Sequence, residues 1–267
     1  MVLKLSKKEL RYSRDKITDF ISAYLSDSGL KGALVALSGG VDSAIVAKLA
    51  HEALGNRLYA LILPEEGVSE PCDLEDARRL AERLGIGYEI IGISPALEGI
   101  NMCYPGIAHD NENEKIAWAN VKPRIRMIIN YIAANLSGRL VLGTGNKTEI
   151  LLGYYTKHGD GGVDILPIGD LYKTQVRQLA MYVGVDKAIV DKTSSAGLWA
   201  GQTDEDELGA SYEILDKVLY NLISEKRSTE ETAKASDVSM DFVRNISARI
   251  KENAHKGSSS PILRLFD

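Results

Sequence analysis

The stretch Ser38-Gly39-Gly40-Val41-Asp42-Ser43 sets small residues and one carboxylate directly after the apolar run GALVAL at 32–37. Small residues let backbone approach a phosphate closely. A helix that starts there aims its free N–H groups at the anion. Ser38 and Ser43 add hydroxyl donors. The pattern is not the loop GxxxxGK[ST], because no lysine follows the glycines. Asp42 stands there instead. A carboxylate repels phosphate oxygens unless a divalent cation lies between them, and Mg²⁺ takes carboxylate and phosphate oxygens together. The same six residues also suit a glycine turn followed by an Asp and Ser helix cap. Their place after a strand and before a helix favours the phosphate reading.

The elements that must position this loop follow from the apolar pattern. Residues 9–28 read as an amphipathic helix, with Leu10, Ile17, Phe20, Ile21, Tyr24 and Leu25 at helical spacing. Short apolar strands are predicted at 32–37, 57–63, 87–93 and 139–144, with helices at 43–54, 73–85 and roughly 113–136 between them. Such alternation implies right-handed crossovers and a parallel sheet with helices on both faces. Ligands of such sheets bind at the carboxyl ends of the strands. SGGVDS ends the first strand and GTGNKTE (143–149) ends the fourth, so the two loops are expected to share one crevice. Beyond 150, HGDGGVD (158–164) is too rich in glycine for regular structure, and 175–184 reads as a helix. Helices at roughly 206–223, 229–235 and 239–254 follow, with STEE (228–231) as a capping box and SMDF opening the last one. The expectation is one domain over 1–267: a Rossmann-like part at about 10–185 and a helical C-terminal part at about 186–267.

Composition narrows the class. The chain has 267 residues, 45% hydrophobic and 26% charged, as in ordinary globular proteins. A net charge of −5 argues against a nucleic-acid partner. Cys72 and Cys103 form no CxxC and no metal-ligand spacing. No signal peptide and no apolar run of membrane-spanning length is visible, so no membrane association and a cytoplasmic location are expected.

Strand–SGGxDS–helix resembles the loop of the ATP pyrophosphatases, which cleave ATP between the α- and β-phosphates and adenylate a substrate oxygen. NVKPRIRM (120–127), GTGNKTE (143–149), GYYTKHGDGGVDILPIGDLYKTQV (153–176), SSAGLWAGQTDEDELG (194–209) and His255-Lys256 stand in the order found in ammonia-dependent NAD synthetases. From about residue 10 to the C-terminus the chain resembles that family. The resemblance implies an adenine nucleotide alpha hydrolase-like fold. It also implies ATP-dependent amidation of deamido-NAD with ammonia, giving NAD, AMP and pyrophosphate through an adenylated carboxylate. A homodimer with the dinucleotide near the subunit interface is implied as well.

Carried over residue by residue, the resemblance makes Asp42 and Glu149 ligands of Mg²⁺. Ser38, Gly39, Gly40 and Ser43 become the pyrophosphate-holding loop, and Thr144, Lys173 and Ser195 contacts of ATP. Asp42 and Lys173 are then the catalytic pair. Arg124, Lys157, Asp164, His255 and Lys256 match contacts to deamido-NAD. Ser195 stands where many relatives have Thr, and Ser194 where proline is common; GSSSP after Lys256 departs from a more basic tail. Without the resemblance, Arg124 is an exposed helix arginine, with Arg126 pointing elsewhere. Pro123 suggests that the helix starts nearby. Lys157 and Asp164 flank a glycine loop, and His255-Lys256 sit where cations suit a helix end. The glycine-rich segment 159–162 and the loops 64–72 and 104–113 are expected to order over the reactants. The rival expectations are another amidating ATP pyrophosphatase, such as a GMP-synthetase-type subunit, and a nucleotide-binding protein without turnover.

Overall fold

The computed structural model describes residues 3–105, 111–199, 201–258 and 260–265. The first helix, α1 (Lys7–Ser28), opens on a capping box in which Ser6 and Glu9 satisfy each other's backbone N–H, and it buries Ile17, Ile21 and Leu25. The strands are β1 (Gly32–Ala36), β2 (Leu58–Ile62), β3 (Gly87–Ile90) and β4 (Arg139–Leu142). Between them run α2 (Val41–Leu54), α3 (Pro71–Leu84), α4 (Ser94–Cys103) and α5 (Glu112–Ser137).

Every pairing in the sheet is parallel, in the order β3-β2-β1-β4. The chain winds outward from β1 through β2 to β3, then crosses back to lay β4 on the other side of β1. The strand order therefore reverses between β1 and β4, and a crevice opens at their carboxyl ends. Alternation along β1 divides the core. Ala33 and Val35 face the layer that contains α1 and α2, while Leu34 faces Ile125 and its neighbours on α5. Helix α2 lies inside that first layer, and Ala44, Ile45, Val46, Ala47, Leu49 and Ala50 are all buried. That is why its sequence is apolar on nearly every side.

After β4 come α6 (Lys147–Leu152), α7 (Lys173–Tyr182) and α8 (Lys187–Val190), then α9 (Asp204–Leu208), α10 (Tyr212–Leu219), α11 (Thr229–Ser236) and α12 (Met240–Asn253). The C-terminal helices have a core of their own around Tyr212, Leu215, Leu219, Val243 and Ile246. Leu152 of α6 and Tyr172, just before α7, enter it from the sheet part. The capping box of Ser228 with Glu231 forms as the sequence predicts, and Ser239 accepts from the Phe242 N–H at the start of α12.

Four expectations are corrected. Pro123 lies inside α5, whose N-cap is Asn111; the Asn111 side chain accepts from the Glu114 N–H. A proline there removes one helical hydrogen bond, and the burial of α5 on the sheet outweighs that loss. Strand β4 stops at Leu142, where Ile165 meets its outer edge in a single parallel bridge and the Gly143 N–H donates to the Ile165 carbonyl at 2.8 Å. Strand β3 stops at Ile90, and α4 begins at Ser94 in a stretch whose Pro95 and Gly99 hide a helix. The helix predicted at 206–223 is broken at Gly209, which caps α9 with a left-handed φ of 76°. Of the loop 104–113, residues 106–110 lie outside the described residues.

Candidate active site

The phosphate loop is held in shape by its own side chains. The Ser43 hydroxyl accepts from the Ser38 N–H at 3.2 Å and donates to the Gly40 carbonyl at 3.0 Å; the Ser38 hydroxyl accepts from the Gly40 N–H. Gly39 adopts φ +80°, and a Cβ there would stand 2.3 Å from the Asp73 carbonyl oxygen. No larger residue fits, because the loop lies flat against the start of α3. Gly40 is the N-cap of α2, and no side chain occupies that helix end. Its N–H groups stay turned to the crevice.

Asp42, in the first turn of α2, meets the β4 side through one buried lysine. Lys173 Nζ lies 2.5 Å from Asp42 Oδ2 and 3.5 Å from Glu149 Oε1. Burial opposes the charge on Lys173, but Asp42 and Glu149 outweigh it and raise its pKa. The lysine also sits 4.9 Å from the centre of the Tyr212 ring. Burial first, and then the charge of Asp42, push the Glu149 carboxyl up to about 8. Asn146 ties the corner together. Its Nδ2 donates to Asp42 Oδ1 at 3.0 Å, its backbone N–H donates to Glu149 Oε2 at 3.1 Å, and its Oδ1 accepts from the Glu149 N–H.

A second layer fixes the lysine. Thr148 Oγ1 accepts from the Lys173 N–H at 3.0 Å and donates to Asp216, which also accepts from the Thr174 N–H. Asp204, 4% exposed, accepts from the hydroxyls of Tyr212 and Tyr154. Burial raises the pKa of both Asp204 and Asp216. The C-terminal helices thus reach the corner through Tyr212 and Asp216, which explains why the sheet alone does not complete the site.

With Glu149 ionised, two carboxylates face one lysine and the corner is negative; burial first, and then the charge of Asp42, oppose that state and raise the Glu149 pKa. Two hard oxygen donors suit Mg²⁺, which usually takes one or two carboxylates and fills its remaining places with water and substrate phosphates. Among the described residues, no group of three or more His, Cys, Asp or Glu forms a self-sufficient cage. The corner fits a cation that arrives with a polyphosphate.

Thr144 lies half-buried in the bend between β4 and α6, beside this corner in the chain. Ser195 is exposed, and its hydroxyl accepts from the Gly197 N–H at 3.0 Å. The remaining predicted residues, Asp164 excepted, form a second group. Arg124 reaches the Lys157 carbonyl with Nε and Nη2 at 3.4 and 3.5 Å. Lys157 Nζ donates to the His255 carbonyl at 2.9 Å, and His255 Nδ1 lies 2.9 Å from the Glu252 carbonyl. Lys256 Nζ donates to the carbonyls of Gly153 and Tyr155, and burial lowers its pKa. Close packing makes this arrangement possible: a Cβ on Gly153 would stand 2.1 Å from Asn253 Cβ, so only glycine lets α6 end against α12. Asp164 stands apart from these cations. Its oxygens accept from the Tyr131 hydroxyl at 3.0 Å and the Val141 N–H at 2.7 Å. Arg126 turns away from them, donating to the Leu63 carbonyl at 3.0 Å.

A glycine loop and a helix end at the reversal point of a parallel sheet mark a nucleotide-binding α/β protein. The family profile described as NAD synthase matches residues 13–260. The NH3-dependent NAD+ synthetase of Archaeoglobus fulgidus is 46% identical over 254 residues, covering 95% of this chain and 96% of that protein. The synthetase of the same name from Methanococcoides burtonii is 46% identical over 255 residues, covering 96% and 95%. Among solved structures, an NMN synthetase from Francisella tularensis superposes with a TM-score of 0.83 at 33% identity, covering 98% of this chain and 100% of that one. The NH3-dependent NAD synthetase of Campylobacter jejuni does so with 0.79 at 30% identity, covering 96% and 99%. The chain belongs to the NAD synthase family, and its fold is the adenine nucleotide alpha hydrolase-like one of these neighbours.

Proposed function

We propose that the chain is an ammonia-dependent NAD synthetase: it joins ammonia to the nicotinate carboxylate of deamido-NAD and splits ATP to AMP and pyrophosphate. The observation that carries the reading is the corner where Asp42, Glu149 and Lys173 meet beside SGGVDS. Ser38, Gly39, Gly40 and Ser43, with the N-terminus of α2, hold the phosphates, and Thr144 and Ser195 complete the hold on ATP. A carboxylate oxygen of deamido-NAD attacks the α-phosphorus, and the bond from that phosphorus to the bridging oxygen of pyrophosphate breaks. Lys173 neutralises charge on the departing oxygen. Asp42 and Glu149 would hold Mg²⁺, which when bound supplies further charge neutralisation to the phosphate oxygens. Neutral ammonia, which has the lone pair, then attacks the acyl carbon. The carbon–oxygen bond breaks, AMP leaves with that oxygen, and the nitrogen gives up one proton. The chain mainly aligns reactants and balances charge.

Arg124, Lys157, His255 and Lys256 hold deamido-NAD, with Asp164 on the β4 side. Their cations rest on neutral carbonyl oxygens, which a phosphate can replace as the stronger acceptor. Arg124 begins a row on α5 that continues through Ile128, Ile132 and Leu136, 52%, 55% and 86% exposed. Positions four apart share one side of a helix. An apolar row of that kind suits a second copy of the chain, which supports a homodimer with the dinucleotide close to its interface. Among the described residues no helix is long and apolar enough to cross a membrane. We place the reaction in the cytoplasm, where ATP and ammonia meet, with no nucleic-acid or membrane partner. The chain works as one synthetase domain, its helical part from about 186 completing the site of the sheet part.

Likeness to an NMN synthetase favours testing a mononucleotide acceptor as the second reading. The experiment supplies ATP, Mg²⁺ and ammonium with deamido-NAD, with its mononucleotide counterpart, or with the acceptor of a GMP-synthetase-type enzyme. AMP release and the amide product are measured. AMP and NAD appearing with deamido-NAD is the expected result. AMP with a different acceptor reassigns the substrate, and no AMP with any of them overturns the reading in favour of a nucleotide-binding protein without turnover.

A further inference from the structure

A buried ion pair outside the corner joins two loops that no secondary structure connects. Lys122, on α5, lies 2.8 Å from Glu65 Oε1, with side chains only 7% and 10% exposed. The same ammonium donates to the Leu198 carbonyl at 2.5 Å. Glu65 stands in the loop after β2. That loop folds on itself: the Val68 and Ser69 N–H groups donate to the Glu65 carbonyl, and the Ser69 hydroxyl accepts from the Glu65 N–H. Leu198 belongs to the segment that carries Ser195. That segment is closed at its base by the Asp204 N–H on the Ser194 carbonyl, and inside by the Leu198 N–H on Gln202 Oε1. Glu65 Oε2 is buried with no hydrogen-bond partner. A charge left in that state is retained only where its ion partner compensates it, so the pair is an expensive arrangement with a specific geometric product.

We propose that Lys122 is the positioning residue that holds residues 194–199 over the carboxyl end of the sheet, so that Ser195 stands ready for ATP. The pair with Glu65 aims the ammonium. The Leu198 carbonyl is what the ammonium anchors, by a charge-assisted bond of the stronger kind. Because the same nitrogen also holds the loop after β2, movement of either loop is felt by the other. The inference rests on the ATP-binding reading of the site.

Three proteins test it by calorimetric titration with Mg²⁺-ATP and by limited proteolysis of segment 194–199. Glu65→Gln keeps an oxygen acceptor for Lys122 and keeps the Leu198 anchor. The double variant Lys122→Met with Glu65→Gln removes both buried charges together, which avoids leaving one of them unpaired, and it removes the anchor. Glu65→Gln leaves the buried ammonium without its counter-charge and should lower the Tm, but with the Leu198 anchor kept it is expected to bind ATP within about two-fold of the wild type. The double variant should bind ATP about 10-fold more weakly, the loss of one hydrogen bond to a charged group. Its segment 194–199 should be cut faster, with ATP restoring protection only at correspondingly higher concentration. In turnover its KM for ATP should rise while its KM for deamido-NAD stays within about two-fold, a split that general loosening of the fold would not produce. Equal ATP affinity and equal cleavage in the double variant and the wild type would overturn the proposal. A wild type that binds no ATP would overturn the functional reading itself.

Discussion

The two groups of site residues are built in opposite ways. In the corner of Asp42, Asn146, Glu149 and Lys173, side chain meets side chain, and partners from the ends of β1 and β4 and from the start of α7 are mostly buried. In the group of Arg124, Lys157, His255 and Lys256, cations reach backbone carbonyls, and Arg124 and His255 are exposed. The first arrangement is organised before any substrate arrives, which is what charge stabilisation in a transition state requires. The second is held by contacts that a substrate phosphate can displace, which is what selective binding requires. On the function proposed above, the difference puts chemistry at the corner and recognition at the cationic group.

The corner should be the costlier place to disturb. Asp42→Asn and Glu149→Gln, each close in shape to the original, should lower kcat for AMP formation by about 100-fold or more, and Lys173→Met likewise. Circular dichroism should still show a folded chain. A loss confined to KM would move the chemistry out of the corner and break the comparison.

Arg124→Ala and Lys157→Ala should act more mildly and on a different parameter. Each gives up charge-assisted contacts, so KM for deamido-NAD should rise about 10-fold with KM for ATP unchanged. Initial rates with each substrate varied in turn separate the two. A fall in kcat as large as that of the corner variants would erase the distinction between the groups.

The Glu149 carboxyl sharpens the comparison through pH. Its pKa is lifted from 4.5 to about 8 by burial and by Asp42. Between those values the folded chain keeps a proton that the unfolded chain has lost. The stabilisation from this group is therefore complete below about 4.5 and is lost as pH rises through about 8. In chelator, the Tm of the wild type should fall across that window more steeply than the Tm of Glu149→Gln. Mg²⁺ should stabilise the wild type more at the alkaline end, where no proton has to be displaced. Parallel Tm curves for the two proteins would remove the strain assigned to the corner.

The smallest effect is expected at the thiols. Cys72 and Cys103 are exposed and unpaired with each other, and neither belongs to either group. Replacing both with serine should leave ammonia-supported turnover within about two-fold, as for surface changes away from a site. A larger loss would show a third region at work.

What the sequence made legible follows the same division. SGGVDS could be read directly, because close approach to phosphate demands small residues and a helix start in a fixed order. The sheet was legible because β1, β2 and β4, mostly buried, are nearly continuously apolar, whereas the edge strand β3 is largely exposed. Asn146 was not. It is the cap of a six-residue helix, α6, too short to show a period; its capping box with Glu149 is local, but its bond to Asp42 depends on strand order. Lys122 with Glu65 escaped for the same reason, since nothing local links a helix lysine to a loop glutamate far earlier in the chain. Helix α4 was hidden by its own proline and glycine. Pro123 misled because a local rule, proline near a helix start, yielded to the packing of α5 on the sheet.

The central claim is that the corner activates a carboxylate by joining it to the α-phosphorus of ATP. Deamido-NAD carrying oxygen-18 in its carboxylate, turned over with ATP, Mg²⁺ and ammonium, tests it directly by mass spectrometry of the products. One labelled oxygen should leave with AMP and the other should remain in the amide of NAD, with pyrophosphate unlabelled. Label in orthophosphate accompanied by ADP, or AMP free of label, would contradict the account.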